Sequence, residues 1–392
     1  MTDKKKASRA KRRIDEFFLE TLENKAFAEE FLGGKIEKNR REDESLKFKF
    51  NETPKSLYEK IRGFVIGQDD ALQNICNAVC YHYKSIGHCS QSSKNNLLLI
   101  GPTGCGKTYV MEKISSILDI PVHISDATKY SATGYEGYNV EDLIQGLVAK
   151  AEGDLNKASR GIIYLDEIDK IAAKNISGRD ISGKDVQNGL LKIAEGGEVP
   201  VNGKGGGKML STKNILFAGG GAFSEIYGIL RGKTPAGTAD SGKNEDINDG
   251  EALFRAKPSE LIESLKKYGM IPELLGRFST MARFRQLSQE DLVSILLDSK
   301  ESPVKILQRD FKAYGIDVDF EKNACIEIAK MAYSRGTGAR GLKSAIEETL
   351  TSLKFCLPGT GITRFTVSAE LLHNPEEGAL KLIKAQKSNA QA

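Results

Sequence analysis

The sequence predicts an α/β fold: a parallel sheet flanked by helices, followed by a smaller, mainly helical C-terminal domain. Two observations predict it. Between residues 51 and 287, short apolar runs at 97–100, 121–124, 161–165, 214–218 and 280–284 alternate with helical patterns. That alternation is the signature of a parallel sheet covered by helices on both faces. From Ser288 onward the helical pattern dominates, with one short strand near Arg364-Phe-Thr-Val367.

Taken in order, residues 1–13 are basic, carrying Lys4, Lys5, Lys6, Arg9, Lys11, Arg12 and Arg13. Ile14, Phe18 and Leu22 then recur at helical spacing beside Phe17, Phe27 and Phe31, and Gly33-Gly34 stops the helix. Residues 35–50 read as a charged linker. This extension, residues 1–50, is either a solvated tail on a docking helix or a recognition arm for a substrate, adaptor or acidic surface. The large domain spans residues 51–287. Two glycine-rich tracts interrupt it, Asn202 to Lys208 and Gly232 to Gly250. Neither can bury much apolar surface, so both are expected as mobile loops. Ser288-Gln-Glu-Asp291 has the pattern of a capping box and opens the small domain, residues 288–372. Residues 373–392 read as a polar tail.

Composition narrows the class. A chain of 392 residues with 40% hydrophobic content can build two or three cored domains. Its net charge of +4 is too small to make the whole chain a nucleic-acid magnet. No run approaches 18 apolar residues, so no membrane partner is expected. Six cysteines without a regular pairing pattern, and no secretory signal, imply a reducing compartment and a cytoplasmic location. Cys76 and Cys80 lack two further partners at metal-site spacing and read as small buried hydrophobes.

The chemistry is carried by two motifs. The apolar run Leu97 to Ile100 leads into Gly101, Pro102, Thr103, Gly104, Cys105, Gly106, Lys107 and Thr108, with Tyr109 next. This is G-x-x-x-x-G-K-[ST] with a strand before it and a helix after. Glycines let backbone N–H groups curl around phosphate oxygens, and the helix N-terminus adds partial positive charge. Lys107 should reach the β- and γ-phosphates of ATP, and the Thr108 hydroxyl should ligate Mg²⁺. Oxidation of Cys105, inside the loop, could block nucleotide. The second motif, Gly161-Ile-Ile-Tyr-Leu-Asp166-Glu167, is a strand ending in two acids. In a phosphate-loop ATPase the first acid holds Mg²⁺ and the second activates the attacking water.

Further segments narrow the superfamily. Gly134-Tyr135-Glu136-Gly137 lies between the two motifs, and Phe64-Val65-Ile66-Gly67-Gln68 precedes them. Tyr164-Leu-Asp-Glu-Ile-Asp-Lys170, Asp180-Ile-Ser-Gly and Val186-Gln-Asn-Gly-Leu-Leu-Lys192 follow. Gly269-Met-Ile-Pro-Glu-Leu-Leu-Gly-Arg277 and Gly336-Thr-Gly-Ala-Arg-Gly-Leu342 complete the set. Together, and in this order over roughly residues 55–370, they resemble the ClpX family of AAA+ ring unfoldases more closely than HslU.

The resemblance implies a homo-hexameric ring with ATP between neighbouring subunits, and unfolded or tagged proteins as substrates threaded through the pore. It implies that Val65 and Ile66 frame adenine and that Glu167, Lys107 and Arg277 are catalytic. Arg277 matches the finger that reaches the adjacent subunit's γ-phosphate, and Arg340 matches a second sensor of nucleotide state. Tyr135 matches the gripping residue of the pore loop, with Glu136 beside it, and Arg179 falls where a second pore loop belongs. An aromatic ring between glycines suits the role, since it grips polypeptide by apolar contact without reading its sequence.

Three departures from the family pattern matter. Residues 1–50 contain no cysteine, so the family's N-terminal zinc module is missing and no zinc is expected. The aliphatic-Gly-Phe tripeptide that docks a Clp-type peptidase is not found within residues 230–250, which removes the apolar anchor of that contact. Glu136 replaces an aliphatic neighbour of the pore tyrosine, and a ring of carboxylates would favour basic substrate segments. Two other readings stay open at this point: a nucleic-acid motor or loader, supported by the basic arm, and a nucleotide-gated scaffold. No DNA-reading module is seen, so nucleic acid is not the expected partner.

Overall fold

The structure is a computed structural model that describes residues 50–86, 94–130, 138–172, 181–203, 206–230 and 249–391. Within them, residues 52–85 and 94–391 form one compact unit. Its centre is a five-stranded parallel sheet: β1 (Leu97–Ile100), β2 (Val122–Asp126), β3 (Ile162–Asp166), β6 (Leu216–Gly221) and β7 (Thr280–Arg283). The strand order is β2-β3-β6-β1-β7, so β6 is inserted between the two strands that end in the sequence motifs. The register sets Leu97 beside both Ala218 and Thr280, and Tyr164 beside Ala218.

The inner strands β1, β3 and β6 form where the sequence places them because the middle of a parallel sheet is buried on both faces and selects continuous apolar runs, whereas the edge strands β2 and β7 are only partly buried. All four residues of β1 are fully buried. Helices cover the sheet, among them Asp69–Ser85, Lys107–Leu118, Asp142–Lys150 and Ile181–Glu195. Cys76 and Cys80 lie on the inner face of the first of these, 1% and 2% exposed, as small hydrophobes.

The tract from Asn202 to Lys208 departs from expectation. Its described residues, 202–203 and 206–208, belong to two antiparallel strands, β4 (Glu198–Gly203) and β5 (Gly206–Ser211), in which Asn202 faces Gly207 and Gly203 faces Gly206. Val199, Val201 and Leu210 alternate inward and anchor them, so the period of two outweighs the glycines. Of the second glycine-rich tract, residues 232–248 lie outside the described residues, and the helix Asp249–Arg255 begins at its end.

Beyond Leu287 the chain builds a second hydrophobic cluster around Leu292, Phe311, Ile328, Leu342, Leu350 and Val367. The capping box is present: the Asp291 amide donates to Ser288 Oγ (3.2 Å), and the Ser288 amide to Asp291 Oδ2 (2.7 Å). The expected strand, β9 (Arg364–Val367), pairs in parallel with β8 (Asp317–Phe320). Residues 375–391 form a helix whose Ala379 is 1% exposed against this cluster. Among the described residues no helix is long and apolar enough to cross a membrane.

Candidate functional site

β1 runs directly into the loop from Gly101, and the helix Lys107–Leu118 begins at its end. Gly104 and Gly106 have φ of +76° and +102°, left-handed values that a side chain would strain. The helix opens without a side-chain cap, so its first amides are left to whatever lies in front of them. Lys107 is almost entirely buried, and its ammonium donates to the carbonyls of Gly101 (2.6 Å) and Pro102 (2.9 Å). Cys105 is 3% exposed, and burial pushes its thiol up, keeping it protonated.

β3 brings the two acids to the same place. The Thr108 hydroxyl donates to Asp166 Oδ2 at 2.7 Å, and the Glu167 amide donates to Oδ1 at 3.0 Å. Glu167 itself has φ of +56°. A non-glycine residue held there costs on the order of 1–3 kcal/mol and persists only where the surroundings impose it. Next along, the buried Asp169 accepts from the amides of Ala222 and Phe223, both at 3.3 Å, which ties the end of β6 to the end of β3.

These residues line a cleft of about 580 Å³ at the carboxyl ends of β1, β3 and β6, where open parallel sheets bind ligands. Thr103, Gly104, Gly106, Lys107, Thr108, Tyr109, Asp166, Glu167 and Arg340 all face it. Arg340 comes from the helix Ala339–Cys356 of the second cluster, and the Ala339 amide donates to the Gly104 carbonyl at 3.0 Å. A similar groove of about 600 Å³ lies beside Arg255, Glu263 and Lys267, but no phosphate-binding motif opens onto it.

Other expected residues stand elsewhere. Val65 and Ile66 do not line the cleft; Val65 is buried instead. Their neighbour Gln68 supports the loop from behind, its Nε2 donating to the carbonyls of Cys105 (3.3 Å) and Arg285 (2.9 Å). Gly101, Pro102 and Cys105 hold the loop's shape without facing the cleft. Arg277 is about half exposed and ion-paired with Glu195 at the end of the helix Ile181–Glu195. Tyr135, Glu136 and Arg179 lie outside the described residues. Glu112, Lys170, Gly221, Ala222 and Ser224 also line the cleft, unforeseen. Ser224 stands three residues past Gly221, the carboxyl end of β6, in the region where open parallel sheets bind ligands; the sequence pattern ends that strand at residue 218.

Residues 92–281 match the family model described as AAA domain (Cdc48 subfamily), and residues 287–353 match that of the C-terminal, D2-small domain, of ClpB protein. Fold and matches together define an AAA ATPase with a sheet-based part and a smaller helical part. The ATP-binding subunit ClpX of the ATP-dependent Clp protease from Treponema denticola is 38% identical over 325 residues, covering 78% of this chain and 77% of that relative. The chain belongs to the ClpX family.

Proposed function

We propose that this chain is an ATP-dependent protein unfoldase that assembles as a homo-hexamer and threads polypeptide through its pore. The observation that carries this reading is the composition of one cleft: Lys107, Thr108, Asp166 and Glu167 from the sheet, with Arg340 from the helical part. A nucleotide bound there touches both parts, so its hydrolysis shifts one against the other.

Lys107 turns from the Gly101 and Pro102 carbonyls to the β- and γ-phosphates. Glu167, aimed by its left-handed backbone, orients and deprotonates water. Arg277 of a neighbouring subunit stabilises the charge that develops. The donor set suits Mg²⁺: a hydroxyl and a carboxylate, both hard oxygen ligands, converge at the cleft. Thr108 and Asp166 would hold the ion, which neutralises charge on the phosphates. Tyr135 then moves along the pore and pulls on substrate. With no aliphatic-Gly-Phe anchor in residues 230–250, remodelling without degradation by a Clp-type peptidase is the favoured outcome.

The test is unfolding of a fluorescent protein carrying varied tags, basic ones included, with ATP turnover followed in the same samples. Wild type should unfold it, and Tyr135→Ala should hydrolyse ATP without unfolding. Hydrolysis by wild type with no unfolding across all tags would overturn the threading reading.

A further inference from the structure

A tyrosine stands behind the pair of residues assigned to the metal. Tyr164 lies on β3 two residues before Asp166, so both side chains leave the same face of the strand. Its side chain is fully buried. The phenol hydroxyl donates to Asp166 Oδ1 at 3.4 Å. On the adjacent strand β6, a Cβ at Gly220 would fall 1.9 Å from the phenol oxygen and 2.7 Å from the ring carbon that bears it. The sheet therefore reserves space for this hydroxyl, by leaving the facing position without a side chain.

We propose that Tyr164 is a positioning residue for the divalent cation: its hydroxyl fixes the Asp166 carboxylate from behind, and through that carboxylate the Thr108 hydroxyl bonded to its other oxygen. This deepens the ATPase reading and rests on it. Asp166 Oδ1 has two donors on the protein side, the Tyr164 hydroxyl and the Glu167 amide at 3.0 Å. That leaves Oδ2, bonded to Thr108, as the oxygen offered to the cleft. A carboxylate without such partners is free to rotate about its terminal torsion, and outer partners of metal ligands are typically worth 10–100-fold in metal affinity. Phenylalanine would fill the same volume and supply no donor.

The experiment uses the full chain and Tyr164→Phe. Binding of a fluorescent ADP analogue is measured in chelator and then across a Mg²⁺ titration, and Mn²⁺ binding is followed directly by electron paramagnetic resonance with ADP present. The expected result is unchanged nucleotide affinity in chelator and a metal requirement raised about tenfold or more. An unchanged metal requirement would overturn the proposal. So would a loss of affinity in chelator as well, which would make Tyr164 a packing residue. If wild type binds no nucleotide under either condition, the ATPase reading itself fails, which is a distinguishable result.

Discussion

Gly104 of the phosphate loop and Gly338 at the head of the helix Ala339–Cys356 meet backbone to backbone. A Cβ on Gly338 would lie 2.6 Å from the Gly104 carbonyl oxygen, and one on Gly104 would lie 2.1 Å from the Thr337 carbonyl. The helical part thus rests on the loop with no side chain between them, and Arg340 follows two residues later.

Gly338→Ala should damage this contact, because φ of +58° and the Gly104 carbonyl both exclude a methyl group. A loss of about 1–3 kcal/mol in denaturant unfolding is expected, with weaker nucleotide binding. Alanine at Gly228, where a Cβ would meet nothing within 4 Å, serves as the tolerated control.

Glu167→Gln should keep ATP binding and abolish turnover, since the amide cannot take the proton from water. Near-normal steady-state hydrolysis would remove Glu167 as the base.

Arg277→Ala should lower turnover by roughly 10³-fold or more, as arginine fingers do elsewhere. Stability should hardly change: the partner Glu195 is itself part-exposed, and such surface pairs are worth under about 1 kcal/mol. Equilibrium unfolding run beside the ATPase assay separates the two effects.

His82 sets an acid limit. Its ring is buried, its Nε2 is 3.0 Å from the Asn214 carbonyl, and burial pushes its pKa down to about 4. In the unfolded chain the ring protonates near pH 6.5, whereas the folded chain keeps it neutral. Its contribution is therefore complete above about pH 6.5 and is lost as pH falls toward 4, roughly 3 kcal/mol in all. Denaturant curves at several pH values should show this slope, and His82→Gln should flatten it.

Legibility in the sequence followed burial. β1 was readable because all four of its residues are apolar and buried. β8 was not, because Asp317-Val-Asp-Phe320 buries Val318 between exposed acids, too short a pattern to register. The strand pair β4–β5 hid behind its glycines, Gly203, Gly206 and Gly207. At the site, motif spacing gave Lys107, Thr108, Asp166 and Glu167. It could not give Gln68, whose partner Arg285 is 217 residues away, nor the acceptor role of Asp169 toward Ala222 and Phe223. Those are tertiary contacts, and no local period encodes them.

The burial of Cys105 beneath the phosphate loop gives the chain a built-in stopwatch. Among the described cysteines, Cys356 is exposed while Cys76, Cys80, Cys105 and Cys325 are buried. A thiol reagent should mark Cys356 at once and Cys105 only during the moments when the loop lifts. The lag between the two would clock that opening in a single unmodified chain, with no probe added to the cleft.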